Sequence, residues 1–188
     1  TDVDPDQQES ETYALLVAGT QVTKSNQNDV LEDGGSVKFD PTTNTLTLND
    51  ADLTLDGAAG GYCCIDSQLA EELTITGTAT LSNADGILTE GPLTLDNATL
   101  TLTGNIDGDV GDDAIRAGRS DEDITIQNST VTIAGTNAEG NFFQYGIRCG
   151  NLIVANSTLN VKANSSAIVA DELKASGAGT VITAETDS

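Results

Sequence analysis

Apolar and polar residues alternate in short runs along this chain, and the runs themselves recur. The phrase L-T-L-N-D-A-D-L-T-L spans 46–55, L-T-L-D-N-A-T-L-T-L spans 93–102, I-T-I-Q-N-S-T-V-T-I spans 124–133 and L-I-V-A-N-S-T-L-N-V spans 152–161. A shorter relative, L-T-I-T-G-T-A-T-L, spans 73–81. A period of two puts Leu93, Leu95, Leu100 and Leu102 on one face and Thr94 and Thr101 on the other, the pattern of a half-buried strand. Each phrase therefore predicts two short strands joined by a polar corner. The corner residue is Asp50, Asn97, Asn128 or Asn156, with Gly77 in the short copy. Asp, Asn and Gly tolerate a left-handed backbone. Asn side chains stacked from copy to copy would form a hydrogen-bonded ladder.

A further short strand precedes most copies: Cys64-Ile65-Asp66-Ser67, Gly86-Ile87-Leu88-Thr89, Ala114-Ile115-Arg116-Ala117, Gly146-Ile147-Arg148-Cys149 and Ala167-Ile168-Val169-Ala170. Its Ile points inward, with a small residue inward two places later. Three strands per unit, repeating at roughly 20 to 32 residues, predict an all-β solenoid of about six coils over 46–188. Successive coils would stack strand on strand at about 4.8 Å in parallel sheets. Residues 13–45 read as an N-terminal β-rich capping unit, with strands at 13–17 and 37–39 and a helical turn at 29–31. Such a unit is needed because a solenoid end exposes strand edges and core. Residues 1–12 read as an acidic tail unable to bury a core. At the other end, residues 173–183 read as a degenerate last coil without an amphipathic cap, so that a natural protein would continue past Ser188.

These repeats and their Asn corners resemble the right-handed parallel β-helix, the fold of pectate lyases and many bacterial surface proteins. The opening Y-A-L-L-V-A-G-T-Q-V-T (13–23) with F-D-P-T-T-N-T-L-T-L (39–48) resembles secreted carbohydrate-binding or adhesin-like repeat proteins of anaerobic gut bacteria. The fold likeness covers most of 46–182 and carries no catalytic motif. It implies a non-catalytic module, secreted or on the cell surface, that binds glycans. A structural stalk or spacer of a larger surface protein is the alternative. A polysaccharide lyase-like enzyme is the third reading, in which calcium would pair with Arg116 or Arg148.

Composition narrows the partners. Seven basic against 30 acidic residues give a net charge of −23. This disfavours nucleic acid, whose phosphates need a basic surface, and an anionic membrane. It favours cations or neutral ligands and a soluble monomer. No stretch is apolar enough to span a bilayer as a helix. The start without Met suits a mature form trimmed of an export signal, hence an extracellular place. Cys63, Cys64 and Cys149 are an odd number, and coil spacing keeps Cys149 from the other two. Cys149 reads as a small core residue in file with Ser67, Thr89, Ala117 and Ala170. A vicinal bond between Cys63 and Cys64 stays open. With no His and no C-x-x-C, a zinc site is disfavoured.

Counting from Ile to Ile, the coils ending at Ile115 and Ile147 are the long ones, and each holds an insertion. The first insertion carries Asp107, Asp109, Asp112 and Asp113, whose glycine-spaced carboxylates form a candidate calcium loop. The bland reading is a solvated acidic loop. The second, N-A-E-G-N-F-F-Q-Y-G, carries Phe142, Phe143 and Tyr145, aromatic rings among amides of the kind that stack on sugars. Its bland reading folds Phe142 and Phe143 over the sheet. Arg116 and Arg148 take the same outward place in successive coils, about 5 Å apart. They would clamp an anionic sugar substituent or pair internally with the acidic insertion. Outward Thr files, Thr47–Thr74–Thr94–Thr125 and Thr54–Thr80–Thr101–Thr132, read as single files of ordinary strand composition.

Overall fold

The computed structural model of the chain describes residues 11–55, 63–82, 85–103, 113–135 and 143–186. Residues 1–10 of the acidic tail, Asp107, Asp109, Asp112 and Phe142 lie outside the described residues, whereas Thr12, expected in the tail, opens the first strand opposite Thr23. The described chain is all-β, with no helix. In chain order the strands are β1 (Thr12–Val17), β2 (Thr20–Thr23), β3 (Val37–Asp40), β4 (Thr45–Thr54), β5 (Cys63–Ser67), β6 (Leu73–Ser82), β7 (Asp85–Thr89) and β8 (Leu93–Thr103). They continue with β9 (Asp113–Ala117), β10 (Ile124–Gln127), β11 (Thr130–Gly135), β12 (Tyr145–Ala155), β13 (Thr158–Ala163), β14 (Ser166–Ser176) and β15 (Val181–Thr186).

All fifteen belong to one long sheet, and from β4 onward every pairing between repeats is parallel. Three ladders run through it. One aligns Ile65, Ile87, Ile115, Ile147 and Ile168. The second aligns Leu46, Ile75, Leu95, Ile126, Val154 and Ala175. The third aligns Leu53, Leu81, Leu102, Ile133, Val161 and Ala184. These are the inward positions predicted by alternation, and Ile65, Ile87, Leu95, Leu102, Ile126 and Ile133 are wholly buried. Each contributes about 1.5–3 kcal/mol over its exposed state.

The corners behave as their residue types require. Asp50, Asn97, Asn128 and Asn156 all sit near φ +50°, and Gly77 stands at φ +96°. At Gly77 a Cβ would also meet the Leu48 carbonyl oxygen at 1.9 Å, so only glycine fits. The predicted Asn ladder does not form. Asn97, Asn128 and Asn156 are exposed, and two of them donate to the carboxylate of Asp96. The next residue carries the ladder instead. The buried Ser157 hydroxyl accepts the backbone N–H of Ser129 at 3.0 Å, and the buried Ser129 hydroxyl accepts that of Ala98 at 2.9 Å. A left-handed corner turns its own side chain outward and the following one inward, where a small hydroxyl satisfies backbone that water cannot reach.

The first parallel strands are covered by antiparallel ones. β1 lies on β5, pairing Val17 with Ile65, and β3 lies on β4, pairing Phe39 with Leu46. Tyr13 and Phe39 pack at 5.3 Å between ring centroids. The segment between β2 and β3 is a turn rather than the expected helical one. The Asp29 carboxylate accepts the backbone N–H groups of Asp33, Gly34 and Gly35, which closes a loop that a helix would straighten. All three cysteines are free, and Cys149 lies in the core opposite Ala170, as expected.

Candidate functional site

Parallel register sets Arg148 directly beside Arg116, as the repeat predicts. What holds two like charges together is Asp113, two strand positions before Ile115, which is buried to 0% exposure. Both carboxylate oxygens are taken by Arg148, through Nε and Nη2 in a two-pronged pair, and Arg116 Nη1 reaches Oδ2 at 3.2 Å. Tyr145 lies under the Arg148 guanidinium, 4.3 Å from carbon to ring centroid. The hydrogen bonds to Asp113 hold the Arg148 pKa above its ordinary value, against a smaller opposing effect of burial. The arginine pair is thus an internal ion cluster, the second of its two expected roles. Both Asp113 oxygens are engaged by the arginines, and the other three carboxylates of the candidate calcium loop lie outside the described residues.

The second insertion divides in a similar way. Phe143 is in the hydrophobic core at 1% exposure, so its ring offers no face to a sugar. It is the covering side chain of the bland reading. One face of Tyr145 is occupied by Arg148.

A cleft of about 460 Å³ opens on the other side of Arg116. It forms where the chain leaves β5, β7 and β9. Gln68 and Glu90 stand on the first two exits, and a turn from Gly118 to Ser120 on the third. Backbone hydrogen bonds from Glu90 N to Ser67 O and from Gly118 N to Thr89 O fix these exits one above another. Gly118 at φ +58° and Ser120 at φ +78° reverse the chain, and Asp121 Oδ1 accepts the Arg119 backbone N–H at 2.9 Å. The Asp66, Glu90, Asp121 and Glu122 carboxylates line the cleft with Arg116 and Arg119, over Leu88 and Thr89. Asp66 is in file with Leu88 and Arg116. Burial pushes its pKa up, helped by the charge of Glu90. The Arg116 Nε–H is buried without an acceptor among the described residues.

The cleft is lined by both donors and acceptors and by no aromatic residue, which suits a hydroxylated ligand held by hydrogen bonds rather than by stacking. Sequence reasoning singled out Arg116 but passed over Asp66, Gln68 and Glu90. The signal was present: the Ile-centred alignment itself puts Asp66 in the file of the two arginines. The cleft itself depends on the exits after the strands, which have no shared sequence pattern.

The outward threonines also differ from their expected single files. Thr78, Thr99, Thr130 and Thr158 align in one file, beside Thr80, Thr101, Thr132 and Asn160 on the same strands. They form a surface two residues wide and without charge. The file of Thr94, in contrast, is partly buried, and its hydroxyl donates to Glu72. No protein-family model, no curated protein and no solved structure matches the chain.

Proposed function

We propose that this chain is a right-handed parallel β-helix, three strands per coil and about six coils, acting as a non-catalytic glycan-binding module. Three parallel ladders with crossovers of one repeat each support the coil, and parallel crossovers in a sheet are almost always right-handed. The observation that carries the binding role is the cleft beside Arg116, where four carboxylates and two arginines converge over Leu88 and Thr89. Paired donors and acceptors at that density match the hydroxyl rim of a neutral saccharide. The excess of acid elsewhere on the chain disfavours anionic polymers. A place outside the cell, adhesin-like, follows from the same reading, since polymeric glycans are met there.

A spacer role is the second reading, and the closure of Arg116 and Arg148 on Asp113 favours it. A lyase-like role draws no support from the same cluster. A guanidinium locked to a buried carboxylate stays protonated and cannot take a proton from a sugar.

The test is a glycan array probed with the intact chain and an Arg119→Ala/Glu90→Ala variant, with calcium and with chelator. Binding that the variant loses supports the cleft. Binding that the variant keeps moves the site elsewhere, and silence of both proteins favours the spacer. Loss with chelator alone would restore the acidic insertion as a calcium loop.

A further inference from the structure

The ladder of β6, β8, β11 and β13 presents a different surface from the ladder that carries the cleft. Thr78, Thr99, Thr130 and Thr158 form one outward file, and Thr80, Thr101, Thr132 and Asn160 form the next, two residues along the same strands. Between the files Ala79, Leu100, Val131 and Leu159 turn inward and are buried, which fixes each row from beneath. The register is continuous through all four strands at these positions. Neighbouring positions therefore repeat at about 4.8 Å across the strands and roughly 6.7 Å along them. Ser82 and Thr103 prolong the rows of β6 and β8 without adding a charge.

Charge and hydrogen bonding set this grid apart. Charged residues make up 20% of the chain, yet none stands in either file on these four strands; the file of Thr80 meets its first carboxylate at Asp52 on β4. Other outward hydroxyls are taken by the protein: Thr54 donates to Asp52, Thr94 to Glu72 and Thr103 to the Leu81 carbonyl. Those of Thr78, Thr80, Thr99, Thr101, Thr130 and Thr132 have no such partner among the described residues, and all but Thr132 are exposed. No aromatic ring stands among them to stack on a sugar. What the grid offers is a two-dimensional repeat of hydroxyl and methyl groups. The hydroxyls hydrogen-bond to water, and the methyls confine the water between them. Both intervals lie close to oxygen repeats on faces of hexagonal ice, a solid that is itself uncharged.

We propose that this threonine grid is an ice-binding face. Water held in rows between the methyl groups and anchored by the hydroxyls continues into the outer layer of an ice crystal. Each contact is weak, so affinity comes from many positions engaged at once, and only a partner with the same two periods engages them all. A chain held in this way stops the crystal from growing beneath it. The absence of charge matters because an ammonium or carboxylate at the contact would lose its hydration without gaining a partner. The inference is independent of the cleft, which belongs to the ladder of β5, β7 and β9, and of the glycan-binding reading.

Thermal hysteresis of the intact chain in a nanolitre osmometer, and its partition into slowly growing ice, test it across a concentration series, with circular dichroism as the check on folding. The expected results are a freezing point held below the melting point by a gap that widens with concentration, and enrichment of the chain in the ice. Thr101→Lys/Thr130→Lys, at two exposed positions of the grid, lowers both by about tenfold, because an unpaired charge opposes contact with the lattice. Thr42→Lys, the same change on an exposed turn outside the grid, leaves both within about twofold. A folded chain that shows neither gap nor enrichment at high micromolar concentration overturns the proposal. So does activity that the double variant keeps, or that Thr42→Lys loses equally. Retention on crystalline cellulose or chitin that only the double variant loses, without activity on ice, places a crystalline polysaccharide on the grid and equally overturns it.

Discussion

Asp113→Asn removes one charge and almost no volume from the centre of the molecule, and its cost follows from three positions. The carboxylate is fully buried and shared by Arg148 and Arg116. Breaking a buried pair from one side costs about 3–5 kcal/mol, because the charge left behind has lost its partner. Two guanidiniums about 5 Å apart repel by roughly 3 kcal/mol at an effective dielectric of 20. Both arginine side chains, however, are partly exposed, at 35% and 24%, so water recovers a share of each. The net expectation is a loss of about 2–3 kcal/mol. In a chain of this length that lowers Tm by about 5–10 °C. Urea unfolding followed by circular dichroism, with calorimetry for Tm, measures it. Replacing the cluster as a whole, Asp113→Leu with Arg148→Met, costs less than Asp113→Asn alone if stranded charge is the cause. An Asp113→Asn variant within about 0.5 kcal/mol of the parent, or a double replacement worse than the single, refutes the reasoning.

Three further outcomes follow from the same structure. Ser129→Ala leaves the Ala98 backbone N–H buried without its acceptor and destabilises by about 1–2 kcal/mol in urea unfolding, whereas Asn128→Gly at the exposed corner costs a few tenths. Asp66 has a folded pKa above its unfolded one, so its charge opposes folding. The penalty is absent below the unfolded value near pH 4 and grows as pH rises through the folded pKa. Asp66→Asn therefore raises Tm at pH 7 by an amount on the order of 1 °C after solvent screening, and the gain vanishes at pH 3.5 in parallel calorimetric scans. Burial pushes the Cys64 and Cys149 thiols up to about 12 and raises Cys63 as well. An aromatic disulfide reagent at pH 8 should leave the native chain almost untouched and titrate three thiols in denaturant; rapid native reaction would contradict the burial.

Much of the fold was legible because a strand's side-chain period is short and the repeat supplies several aligned copies. The Ile files, the left-handed corners and the Arg116–Arg148 juxtaposition all came from register, which repetition exposes directly. What escaped the reading depended on which of two adjacent residues turns inward. At the corner, the conspicuous Asn is solvated and the unremarkable Ser129 and Ser157 carry the ladder. Phe143 sits among amides and glycines that resemble a sugar site, yet its burial is decided by core residues far along the chain. The cleft is built from chain exits stacked across successive repeats, Gln68, Glu90 and Gly118. No local window contains the three together. Paired threonine files were missed because Thr78, Thr99 and Thr130 come just after the corner, where the side-chain alternation is reset and the file beside Thr80, Thr101 and Thr132 is fixed only by register.

The most direct test of the binding role is an amide-resolved NMR titration of the intact chain with neutral oligosaccharides cut from xylan, mannan and galactan. The account predicts saturable shifts centred on Gln68, Leu88, Thr89, Gly118 and Arg119 for at least one of them. An absence of shifts with all three, or shifts centred on the threonine surface of β8 and β11, would contradict it.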